Sequence, residues 1–83
     1  MTSKEFRGIR DRLGLTQQEL AEILGRSGFM AISHYETGVR KPSVLTAALM
    51  RIFDEWPEQK SLELREALRI QTGKVQRRRA KKF

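Results

Sequence analysis

The sequence predicts an all-α fold: a compact bundle of four to five helices with a basic C-terminal tail. Three observations carry this. Apolar residues recur three and four apart along most of the chain, and no useful stretch alternates with the period of a strand. Gly14, Gly25, Gly38, Pro42, Pro57 and Gly73 punctuate that pattern at helix-sized intervals. The 83 residues are 39% hydrophobic, enough for one core and not two, so a single domain follows.

Each element can be read in order. Ser3 is placed to cap a first helix whose apolar positions Phe6, Ile9 and Leu13 share a face, and Gly14 stops it. Thr16 followed by Glu19 is a capping box. It opens a second helix that runs to about Leu24, with Leu20, Ala21, Ile23 and Leu24 inward and Gly25 at its end. A third helix is expected over about 28–37, ended by Gly38. Pro42-Ser43 begins a fourth, which presents Leu45, Ala48, Leu49, Ile52, Phe53 and Trp56 before Pro57 breaks it. A fifth, over about 58–71, offers Leu62, Leu64, Ala67, Leu68 and Ile70, and Gly73 ends it. Residues 1–72 thus form the domain, and 73–83 a tail too poor in apolar residues to pack, disordered when alone.

Composition limits the function classes. There is no cysteine and one histidine, so no disulfide framework, metal site or other cofactor site is expected. No nucleophile–base pair, paired acid or Gly-rich phosphate loop stands out, so an enzyme is the poorest fit. The N-terminus lacks the apolar stretch of a signal peptide, and no run is long enough to cross a membrane, so a cytoplasmic chain without a membrane partner is expected. The net charge of +7 invites a nucleic-acid partner. Its distribution is uneven. Residues 73–83 hold Lys74, Arg77, Arg78, Arg79, Lys81 and Lys82 and no acid, which is +6 of the total, leaving +1 for residues 1–72.

The second helix, a short glycine turn and the third helix have the makings of a helix-turn-helix. Such a unit needs a small residue where the helices cross, a turn residue tolerant of positive φ, and apolar residues on the second helix that lie back on the first. Ala21, Gly25, and Ile32 with Tyr35 fill these roles. Leu15-Thr16-Gln17-Gln18-Glu19-Leu20-Ala21, then Gly25, Ile32-Ser33, Tyr35, Glu36, Gly38 and Pro42 resemble the Cro/C1-type (XRE) helix-turn-helix family over roughly residues 3–56. The resemblance implies a lambda-repressor-like fold. It also implies a regulator that binds double-stranded DNA as a homodimer on an inverted repeat, most often as a repressor.

This chain has one residue more than the family pattern between Gly25 and Ile32. Counted back from Ile32, the base-reading positions fall on Phe29, Met30, Ser33 and His34. Counted forward from Gly25, they begin at Ser27 and Gly28, with Arg26 beside them also expected on the DNA and Gly28 expected to absorb the insertion. Phe29 and Met30 have two readings: packing on thymine methyls in the major groove, or filling the gap left by the longer turn. Gln17 and Gln18 stand where side-chain amides and a helix N-terminus meet a phosphate. The resemblance also places Arg40 and Lys41 on the DNA backbone and implies a structural ion pair between Arg10 and Glu36.

Trp56 is read as core or dimer contact. The leucines and Ile70 of the fifth helix exceed one narrow stripe, which leaves some for a second subunit. Two other functions compete. One is an antitoxin that binds a partner protein through residues 58–83. The other is RNA binding through the arginine-rich tail. The tail is otherwise expected to add non-specific phosphate contacts or to reach a neighbouring minor groove.

Overall fold

Thr2, one residue before Ser3, caps the first helix. Its hydroxyl accepts from the Glu5 N–H while the Glu5 carboxylate accepts from the Thr2 N–H, so two orphan donors are satisfied at once. The Thr16–Glu19 pair repeats this arrangement. Those hydrogen bonds, the Thr16 N–H first, hold the Glu19 carboxyl below its usual value. The computed structural model describes residues 1–80, with side chains as far as Arg77. Its five helices are α1 (Ser3–Leu13), α2 (Gln17–Ile23), α3 (Met30–Thr37), α4 (Val44–Glu55) and α5 (Glu58–Ala80), and no strand occurs among the described residues.

α1 packs on α3 and α4, α2 on α3 and α5, and α4 on α5. The core they enclose is Phe6 and Ile9 of α1, Leu20, Ala21 and Ile23 of α2, Ile32 and Tyr35 of α3, and Met50 and Phe53 of α4. The Phe6 and Tyr35 rings meet tilted, centroids 5.3 Å apart. Among the described residues no buried side-chain nitrogen or oxygen lacks a partner.

The buried stripe of α4 and the end of α5 are corrected, Trp56 is not in the core, and α5 leaves part of its apolar surplus exposed as expected. On α4 the buried stripe is Thr46, Met50 and Phe53, with Leu49 partly covered; Leu45 is 70% exposed and Ala48 is exposed. Thr46 can sit inside because its hydroxyl accepts from the Ser43 hydroxyl at 3.1 Å. Trp56 lies outside the core, half-exposed, where the chain turns extended before Pro57. On α5 the inward side carries Ser61, Leu64, Arg65 and Leu68, while Leu62, Ala67 and Ile70 are exposed. Burial of Arg65 is tolerated because its guanidinium donates to the Ser61 carbonyl and hydroxyl and to Glu58. Nor does α5 stop at Gly73: it runs on to Ala80, taking in the first residues of the expected tail. A helical glycine costs about 1 kcal/mol. Here it is flanked by anchors, since the Thr72 hydroxyl donates to the Glu22 carbonyl at 2.8 Å and the Gln76 amide to the Gly25 carbonyl at 3.1 Å. Residues 81–83 lie outside the described part, so the expectation for the end of the tail has no structural counterpart.

Gly25 is held at φ +73°, and a Cβ there would come within 3.2 Å of the Thr72 methyl. Gly14 and Gly38 also have positive φ, but a Cβ on either would meet nothing. The left-handed backbone alone costs a side chain about 1–2 kcal/mol. Gly25→Ala is therefore expected to destabilise the fold by more than Gly14→Ala or Gly38→Ala, by thermal melts of all three.

Candidate nucleic-acid interface

α2 ends at a turn closed by the Arg26 N–H bonding back to the Ala21 carbonyl at 2.8 Å, a glycine-ended helix stop. α3 begins only at Met30, so the extra residue lengthens the turn instead of the helix. The expected start near residue 28 is thus early by two positions. Gly28 lies within this lengthened turn, without a positive φ and with open space around it. Gly25 supplies the unusual conformation.

α3 carries two kinds of face. Ile32 is fully buried and Tyr35 nearly so. Their neighbours Ser33 and His34 are partly exposed, and Phe29 and Met30 are exposed by 49% and 56%. Neither Phe29 nor Met30 joins the core; Ala31 takes the inward place between Met30 and Ile32. Half-exposed and outside the core cluster, the two residues do not fill a gap in the packing.

Beside α3 lies an open cleft of about 430 Å³ lined by Arg26, Met30, Ala31, His34, Tyr35, Arg40, Lys41 and Ser43. Its walls bring three cationic side chains and a histidine together with no acid. Each cation has a reason to be there. Arg26 donates to the Tyr35 hydroxyl at 2.6 Å, with its guanidinium 5.9 Å from the ring centroid. Arg40 is placed by its backbone, whose N–H bonds to the His34 carbonyl at 3.2 Å past Gly38 at φ +81°. Lys41 follows it on the connector to α4. Ser43 and Ala31 are members that sequence reasoning missed, and Tyr35 was read only as core; the role of Ser43 as the α4 cap was legible, its place in the cleft was not.

The other candidate residues are distributed around this cleft. Ser27 is exposed on the turn and lines a neighbouring opening with Gly25, Arg26 and Gln76. Gln18 is exposed on the first turn of α2. Gln17 is turned elsewhere: its amide donates to Glu36 at 3.1 Å. Glu36 also receives the Arg10 guanidinium in a two-pronged contact at 2.5 and 3.1 Å, and a third Arg10 nitrogen donates to the Leu15 carbonyl at 2.8 Å. The pair is well buried, with side-chain exposures of 13% and 5%. The Glu36 carboxylate holds the Arg10 guanidinium above its usual value. This network ties α1, the start of α2 and the end of α3 together, so it fixes the angle at which α3 is presented.

Among the described residues no helix is long and apolar enough to cross a membrane. A family model described as the antitoxin component of bacterial toxin-antitoxin system, MqsA, matches residues 1–66. The antitoxin MqsA of Escherichia coli (strain K12) is 44% identical to the chain over 50 residues, which are 60% of this chain and 37% of that protein. The chain thus spans little more than a third of the length of that curated relative. No solved structure matches it significantly. With most of its length matched by one family model, the chain belongs to the MqsA antitoxin family.

Proposed function

We propose that the chain is an antitoxin-type regulator that binds double-stranded DNA through a helix-turn-helix of the Cro/C1 kind, α2 supporting and α3 reading. The acid-free cleft along the exposed side of α3 carries this reading. Arg26, Arg40 and Lys41 suit phosphates, whose charge dominates affinity for DNA. His34 and Ser33 suit base edges, and Met30 with Phe29 suits thymine methyls in the major groove. One short helix reads only a few base pairs, so two copies on an inverted repeat give a site long enough to be specific. Occupying such a site would act as a repressor does.

Selection of duplexes from random DNA by the full chain tests this. The expected outcome is a two-fold symmetric consensus, with half-sites about one helical turn apart. No enrichment of any sequence would contradict it.

The family match favours a second activity, the binding of a toxin protein. Leu62 and Ile70, exposed on α5 by 50% and 42%, offer apolar surface away from the α3 cleft. A stable complex on co-expression with the toxin of the same system, weakened by Leu62→Asp, is expected. A complex indifferent to that change would move the toxin site off α5.

A further inference from the structure

As far as Ala80, the basic C-terminal segment continues α5. α5 has 23 residues, about 35 Å of helix, and its stretch from Thr72 to Gln76 meets the end of α2 and the turn after it. Thr72 bonds the Glu22 carbonyl and Gln76 the Gly25 carbonyl, so two side chains one turn apart hold the helix to the turn that precedes α3. Gly25 admits this approach because it has no Cβ to meet Thr72. Gln76 then shares an open cleft of about 580 Å³ with Gly25, Arg26 and Ser27. The residues that follow and surround this latch are basic: Lys74 and Arg77 are exposed, Arg78 and Arg79 come next, and residues 73–83 contain no acid. The family match ends at residue 66, so the two latching side chains and the charge lie beyond it.

We propose that the C-terminal turns of α5 form a second DNA contact, docked in fixed register beside the α2–α3 turn, that grips backbone phosphates flanking the base pairs read by α3. This rests on the DNA reading above. A docked helix differs from a mobile arm in one respect: its phosphates sit at a set distance from the half-site. Each phosphate neutralised adds about 0.9 to the slope of log affinity against log salt.

The test uses the full chain, a duplex selected by it from random DNA, the same duplex trimmed of its flanks, and single-stranded RNA. The Lys74→Gln/Arg77→Gln variant alters only exposed positions and is expected to fold normally. It should bind the flanked duplex several-fold more weakly than the parent chain does, with a salt slope flatter by about 2, yet match it on the trimmed duplex. The Thr72→Val/Gln76→Leu variant keeps every charge. It is expected to lose discrete protection of flanking phosphates in a hydroxyl-radical footprint while keeping that over the half-sites. Flank protection unchanged in the latch variant would overturn the docked register. Equal losses on trimmed and flanked duplexes would overturn the flank contact. A loss confined to RNA would assign the segment to RNA. If the parent chain enriches no duplex, the DNA reading falls and this inference with it.

Discussion

Removing either partner of the Arg10–Glu36 pair is expected to destabilise the fold by about 3–5 kcal/mol, Arg10→Ala the more, because Glu36 would be left without a charge partner while Arg10 still has Asp11 at 3.6 Å. The two-pronged contact and the added Gln17 amide leave Glu36 with no exposed oxygen to turn toward water, since its side chain is only 5% exposed. Arg10→Ala also deprives the Leu15 carbonyl of its donor. Small domains have only about 5–15 kcal/mol in total, so either variant should be partly unfolded near 37 °C. The double variant should lose less than the sum, since it strands neither charge. A double-mutant cycle by urea melts measures this, and a coupling near zero would contradict it.

Ile32→Ala is expected to cost about 2–5 kcal/mol. Ile32 is fully buried where α3 faces the core, and no part of that site is open to solvent that might fill the gap. In a domain of this length each 1 kcal/mol moves the thermal midpoint by about 4–8 °C, so the midpoint should fall by about 8 °C or more. Ile32→Val keeps most of the volume and should cost about 0.5–1.5 kcal/mol. Equal melts for the alanine and valine variants would contradict the packing described for α3.

The helices of the domain were legible in the sequence because each has its own punctuation. Thr16 with Glu19 starts α2 by hydrogen bonding, and Gly14 and Gly38 end α1 and α3 by adopting left-handed backbone. The inward positions Ile32 and Tyr35 could be read because their spacing admits one common face. α4 was misphased for the opposite reason. Leu45, Ala47, Ala48, Leu49 and Met50 offer several apolar stripes, and the one that is buried runs through a threonine whose polarity Ser43 satisfies. Gly73 misled in the same way, because the Thr72 and Gln76 bonds that carry α5 past it are to residues about 50 positions away. Long-range hydrogen bonds leave no local signature. The cleft along α3 was half legible: Arg26, Arg40 and Lys41 stood out as charges, but only the backbone bond from Arg40 to His34 shows that the connector folds back beside the helix.

That two-faced character of α3 is the claim on which the rest depends. His34→Ala tests it most directly when thermal midpoint and affinity for the selected duplex are measured on the same sample. His34 lines the open cleft, on a different side of α3 from Ile32. The expected result is an unchanged midpoint with affinity lower by about 1–3 kcal/mol and relaxed choice of base at one position in each half-site. A domain that melts early but, once folded, binds the duplex as tightly and as selectively as the parent would contradict it.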